Sequence, residues 1–203
     1  MKLLLFAQLS EAAATIEALN AKAQPNSEKQ IWSEGIIPTR YSFDDGLIVI
    51  TDVGLYPAAA AVAKYGPTCS EIWNLGLAGT LSHNLDIGTL LPISRLGKYI
   101  PIPNQHATAP ADLKLGDSGI ALVSSDFPIH EHVHREHLSA NYDMVDMEGY
   151  AIAYMANALG IKCRMWKIVS DFASPGGREL ISKNKHQLSK KIAEHIIESS
   201  THS

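Results

Sequence analysis

The stretch M144-V-D-M-E-G-Y-A-I-A-Y-M-A-N-A-L-G160 reads as a short buried strand, "MVDM", running directly into an apolar helix that ends at Gly160. Two acids, Asp146 and Glu148, stand at the junction. A carboxylate in apolar surroundings costs several kcal/mol or more unless something pairs with it, so the junction demands a partner. Working outward, the same rhythm of apolar strand and helix repeats along the chain. Leu3 to Ala7 forms a continuous apolar run, followed by Ser10 as an expected N-cap and the helix-prone "EAAATIEALNAKA". "DDG" turns into the strand "LIVIT", and "YPAAAAVAKYG" reads as a helix with Pro57 near its start and Gly66 at its end. "EIWNLGLAG", "IGTLLPISRL", "SGIALVSSD" and "CRMWKIVSD" are further strands, and a last helix covers about 178–198. Strands alternating with helices at this spacing predict an α/β fold, a mixed central β-sheet flanked by helices, in one domain spanning 1–203.

Composition narrows the function. The chain has 203 residues, of which 46% are hydrophobic and 19% charged, and its formal net charge of -4 argues against a basic nucleic-acid surface. A small-molecule partner is expected. No apolar run approaches the ~20 residues needed to cross a bilayer, and the N-terminal run is too short for a signal peptide, so no membrane partner and a cytoplasmic setting are expected. Cys69 and Cys163 are the only cysteines, which indicates neither a disulfide framework nor a Cys-based metal site.

In sheets of this kind ligands gather at the carboxyl ends of the strands. Three acids sit at such ends or at the helix starts that follow them: Glu11 after the first strand, Glu148 after "MVDM", and Asp171 closing "WKIVSD". Each has a plain structural alternative. Glu11 and Glu148 are favourably placed against helix dipoles, and Asp171 suits the turn made by "SPGG". Together they suit one polyhydroxylated substrate. "HEHVHREH", residues 130–137, spells HExxH with His130, Glu131 and His134, but lacks an apolar helical face and a third ligand. It is read as a surface helix, with zinc binding as the rival and no metal assigned.

The segment "MVDMEGYAIAYMANALGIKCRMWKIVSDFA", with its Met-Glu pair followed by a Ser-Asp pair, resembles the nucleoside phosphorylase and nucleosidase superfamily, and within it the methylthioadenosine/S-adenosylhomocysteine nucleosidases. "LLLFAQLSEAAA", "LGLAGTL" and "SSDFPI" extend the likeness over nearly the whole chain. The resemblance implies a nucleoside phosphorylase-like fold and hydrolysis of an N-glycosidic bond without a cofactor. It implies that Glu148 holds the ribose hydroxyls over Met147, that Phe127 stacks on the purine, and that Ile129 offers backbone groups to the purine edge. Ala78 would join the substrate-binding wall, and Lys167 would stand near the ribose and the water. Asp171, supported by Ser170, would give a proton to purine N7, and Glu11 would take one from the attacking water.

Where the family has a Met near the 5' group this chain has Gln8, it has Leu77 where a small hydroxylated residue is common, and Thr80 replaces a glycine. Methylthioadenosine, S-adenosylhomocysteine and aminodeoxyfutalosine, an adenine nucleoside of a menaquinone route, are the expected substrates. A homodimer is implied by the resemblance alone. No Arg or Lys occurs between Lys2 and Lys22 or between Lys64 and Arg95, which favours water over phosphate as nucleophile. The alternatives are a futalosine-selective hydrolase, a purine nucleoside phosphorylase, or a zinc- or nucleoside-binding protein.

Overall fold

The computed structural model describes residues 1–25, 40–101 and 111–201. The strands are β1 (Lys2–Phe6), β2 (Lys22–Ala23), β3 (Arg40–Phe43), β4 (Gly46–Ile50), β5 (Glu71–Thr80), β6 (Leu90–Lys98), β7 (Leu113–Lys114), β8 (Ile120–Ser124), β9 (Met144–Asp146) and β10 (Lys162–Asp171). The α-helices are α1 (Leu9–Ala18), α2 (Leu55–Tyr65), α3 (His132–Ser139), α4 (Gly149–Ala158) and α5 (Gly177–Thr201). The expected strands and helices are all present. The sequence pattern did not resolve β2, β3 or β7, which are short or, in β3, interrupted by polar residues.

The sheet is mixed, and it closes on itself. β5 pairs with β10, β10 with β6, β6 with β8, β8 with β9, and β9 returns to β5, while β1, β4, β3 and β2 extend outward from the other half of β5. Period-two alternation in β1 explains the layers. Leu4 and Phe6 pack with Ala12, Leu188, Ile192 and Ile196 beneath α1 and α5, while Leu3 and Leu5 pack with Ala58, Val62, Ile152 and Ala156 beneath α2 and α4. Strands buried on both faces read as continuous apolar runs, as "LLLF" does.

β5 positions the site. One edge pairs with β10 along nearly its whole length, but the other edge is shared: β1 takes residues 71–74 and antiparallel β9 takes 79–80. Between them the edge at Leu75 to Ala78 has no strand partner among the described residues. The C-terminal end of β1 and the C-terminal end of β9 therefore point into the same gap, carrying α1 and α4 with them. The β10–β5 register also shifts between Val169 and Asp171, a bulge that re-aims the end of β10 toward the same place.

Candidate active site

The gap opens into a cavity of about 680 Å3. Of the nine residues expected at the site, eight line it: Glu11, Ala78, Phe127, Ile129, Met147, Glu148, Ser170 and Asp171. The ninth, Lys167, does not reach the wall. Its side chain is 2% exposed, and its Nζ lies 2.8 Å from Oδ2 of Asp146, which itself lines the cavity. Lys167 therefore reaches the cavity through its charge, which both Glu11 and Glu148 feel, and not as part of the lining.

The two acids of the opening stretch have opposite fates. Asp146 is saturated: Lys167 holds Oδ2, the Gly149 N–H donates to the same oxygen at 2.9 Å, and the Ser124 hydroxyl donates to Oδ1 at 2.5 Å. Glu148 is the N-cap residue of α4, but its side chain does not cap the helix. Oε1 instead accepts from the Gly54 N–H at 2.8 Å, across the cavity edge. Gly54 holds φ of 113°, a conformation costly to any side chain, at the start of α2.

Glu11 lies in the first turn of α1, 7% exposed. The expected N-cap, Ser10, is two residues too far along; Gln8 is the N-cap, and its carbonyl accepts from the Glu11 N–H at 3.1 Å. Among the described residues, Glu11 Oε2 has no hydrogen-bond partner although it is buried. It packs against Gly76, where an added Cβ would stand 2.7 Å from that oxygen. The absence of a side chain at Gly76 lets the carboxylate approach the β5 backbone.

Burial, then the Glu148 charge, pushes the Glu11 carboxyl up to about 8, against the pull of Lys167 and the Leu77 and Ala7 backbone. Glu148 is raised as well, by burial first and by Asp146 next. Lys167 is moved the other way around: burial disfavours its ammonium, but Asp146 and then Glu148 outweigh that, and its pKa rises. The floor is thus one saturated ion pair beneath two carboxyls that resist carrying full charge together.

Asp171 forms the opposite end. Oδ1 accepts from the Ala173 N–H at 2.8 Å and Oδ2 from the Ser170 hydroxyl at 2.7 Å, which fixes the carboxyl plane with Ser170 also reaching the Ala78 carbonyl at 3.2 Å. Ala173 holds φ of 47°, an uncommon conformation that folds the backbone back onto the acid. Phe127 presents a half-buried ring to the cavity, backed by the His134 ring at 5.7 Å and the Tyr99 ring at 6.2 Å. The arrangement offers an aromatic face and an oriented carboxyl at one end, with two buried carboxyls over the Asp146–Lys167 ion pair at the other.

Sequence reasoning did not place the wall contributed by α5: Arg178, Ile181, Ser182 and Lys185 line the cavity beside Gln8 and Ser10. The cavity is therefore not free of cations, a point the spacing of Arg and Lys near the strand ends concealed. No local pattern marks that wall; it follows from Ser189, one turn beyond Lys185, docking α5 to α1. The histidines do not converge. α3 begins at His132, leaving His130 outside the helix, and among the described residues no group of three or more His, Cys, Asp or Glu is arranged to hold a metal ion. No helix among the described residues is long and apolar enough to cross a membrane.

The family model described as the phosphorylase superfamily matches residues 119–199. No curated protein sequence matches the chain. Solved structures that share the fold include futalosine hydrolase of Helicobacter pylori, at 14% identity over 100% of this chain and 97% of that one with a TM-score of 0.81. The H. pylori nucleosidase solved with 5'-methylthioadenosine in its active site has 13% identity, coverage of 100% and 98%, and a TM-score of 0.80. A Chlamydia trachomatis MTAN bound to MTA is 24% identical over 98% and 97% of the chains, with a TM-score of 0.74.

Proposed function

We propose that this chain, which shares the fold of those nucleosidases, hydrolyses the N-glycosidic bond of 5'-substituted adenine nucleosides and releases adenine. The observation that carries the reading is the meeting of Glu11, Glu148 and Asp171 in one cavity, with a buried Glu11 oxygen that has no partner among the described residues. Cleavage passes through an oxocarbenium-like sugar, so the site must neutralise the departing base and steady a developing cation. Asp171, held in plane by Ser170 and the Ala173 N–H, delivers a proton to the base stacked on Phe127, with Ile129 at its edge. Glu148 accepts the ribose hydroxyls, with Met147 and Ala78 packed against the nucleoside. These hydroxyl donors add to the single Gly54 N–H that Glu148 Oε1 accepts.

Glu11 takes the proton from water. Once deprotonated, a carboxyl raised to about 8 is a strong enough base for that proton, and its Oε2, without a partner among the described residues, is free to receive the water. Lys167 acts from behind, fixing Asp146 and moderating the charge of both glutamates. The homodimer is part of the proposal: Val53 on the cavity wall and Tyr56 at the start of α2 are 44% and 86% exposed and suit coverage by a second copy, which sedimentation would reveal. A cytoplasmic site of action fits the same metabolite chemistry.

A phosphorylase is the second reading, because Arg178 and Lys185 line the cavity. The test is release of free base from methylthioadenosine, S-adenosylhomocysteine, aminodeoxyfutalosine and futalosine in phosphate-free buffer, with and without added phosphate and with and without chelator. Adenine release independent of phosphate and chelator is expected. Strict phosphate dependence would establish the second reading, and hypoxanthine release from futalosine alone would establish the futalosine-selective one. Loss on chelation would bring back zinc, and binding without any base release would make the chain a nucleoside-binding protein.

A further inference from the structure

The first part of α5 walls the cavity through Gly177, Arg178, Ile181, Ser182 and Lys185, and it is held at two points. At its start an added Cβ on Gly177 would lie 3.1 Å from Asp171 Oδ1, so the helix begins against the acid. Further along, the Ser189 hydroxyl donates to the Glu11 carbonyl at 2.9 Å and accepts from the Ala14 N–H at 3.1 Å. Ala12, Leu188, Ile192 and Ile196 share one core cluster with Ile16 and Leu19, so α1 and α5 run side by side in the same direction. Lys185, one turn before Ser189, stands level with the start of α1, where Gln8 and Ser10 face the cavity. Seven residues, about 10 Å at helical rise, separate Lys185 from Arg178 near Asp171.

The cavity therefore has a base end at Asp171, a sugar floor at Glu148 and Glu11, and a third arm walled by Gln8, Ser10, Ser182 and Lys185. Lys185 is half-buried there and has no ion-pair partner among the described residues. The acids of the floor do not account for it, because the floor already contains its own cation in Lys167. An adenine nucleoside seated by base and ribose leaves only its 5' substituent for the third arm. A purely apolar 5' group would strip water from a lysine and from three neutral polar side chains without replacing their hydrogen bonds.

We infer that Lys185 is a specificity-determining residue that binds a carboxylate at the far end of the 5' substituent, so that the chain prefers nucleosides with such a tail to those with a neutral one. The inference rests on the nucleosidase reading above. A carboxylate alone suits the arm best; a tail that also carries an ammonium places like charge near Lys185 and ranks second; a neutral methylthio group ranks last.

The test compares kcat/KM for aminodeoxyfutalosine, S-adenosylhomocysteine and methylthioadenosine in the wild-type chain and in Lys185→Gln, Lys185→Arg and Lys185→Glu. In Lys185→Gln the preference for the carboxylate tail over the methylthio tail falls about tenfold, chiefly through KM, and Lys185→Arg keeps it. Lys185→Glu favours the ammonium-bearing tail over the carboxylate alone. The wild-type preference also shrinks as salt rises from about 0.02 to 0.5 M, which a merely structural lysine would not produce. A preference that stays within about twofold in Lys185→Gln while adenine is still released overturns the inference and leaves the nucleosidase reading standing. Absence of base release from all three nucleosides in the wild type overturns both.

Discussion

Helix α3 and the floor of the cavity both crowd ionisable side chains together, and they treat them in opposite ways. On α3, His132 and Glu136 lie 3.4 Å apart with side chains 80% and 73% exposed, where water screens their interaction. On the floor, Glu11, Glu148, Asp146 and Lys167 are all under 9% exposed, and every charge is felt by its neighbours. The helix has the more conspicuous sequence; the floor has the chemistry. What separates them is desolvation, which turns an ordinary carboxyl into a base of adjusted strength.

The comparison is broken most directly at the acids. Asp171→Asn keeps an oxygen for the Ala173 N–H but has no proton to give, so kcat falls about 10^3-fold with little change in melting temperature. Glu11→Gln retains nucleoside binding and loses turnover to a similar extent. Single-turnover assays with equilibrium binding check both; near-normal rates in either variant would remove that residue from the role given to it.

Stability probes the layer beneath. Lys167→Met leaves Asp146 buried and unpaired, which costs about 3–5 kcal/mol in thermal or chemical denaturation. Adding Asp146→Asn removes the orphaned charge, and the double variant recovers a substantial part of that loss. If the two losses simply add, the pair is not the buried unit described here.

The raised Glu11 carboxyl gives a pH test of the same idea. Between the ordinary carboxyl value of 4.5 and about 8, the folded chain keeps a proton that the unfolded chain has released. Stability therefore falls as pH rises through that window, by up to a few kcal/mol, and the loss levels off above it. Glu11→Gln lacks this titration, so its melting temperature gains on the wild type from pH 5 to pH 8. A gap that does not change with pH would mean the carboxyl is not held up by its burial. Gly76→Ala is a milder probe: the new methyl crowds Glu11 Oε2 and displaces it from the β5 backbone, and kcat falls about tenfold.

Much of this was legible in the sequence because it follows from short-range pattern. The continuous apolar run of β1, the "MVDM" strand entering α4, and the Pro57 and Gly66 limits of α2 are local signals, and all three elements formed as expected. The gathering of Glu11, Glu148 and Asp171 followed from the tendency of strand ends to converge. The rest depended on long-range geometry. Closure of the sheet through β5 and β10 joins segments some 90 residues apart, and no local pattern encodes it. Lys167 alternates inward on β10 and is consumed by Asp146, a partnership that neither residue's neighbours announce. α5 reads as a polar helix packed on the sheet, and only its alignment with α1 brings Lys185 to the cavity.

The smallest expected effect closes the comparison from the other side. His132→Ala removes one member of the exposed α3 pair, and the other, Glu136, simply returns to water. Melting temperature and kcat/KM are expected to match the wild type within measurement error, with and without chelator. The choice of His132 matters, since His134 contacts the Tyr99 hydroxyl at 2.7 Å and backs the Phe127 ring, so its loss would disturb the base end for a packing reason. A large loss in His132→Ala, restored by added zinc, would show that the histidine-rich segment does more than solvate a helix face. A silent substitution would confine the chemistry to the desolvated acids, where an unpartnered oxygen already distinguishes Glu11 from every carboxylate on α3.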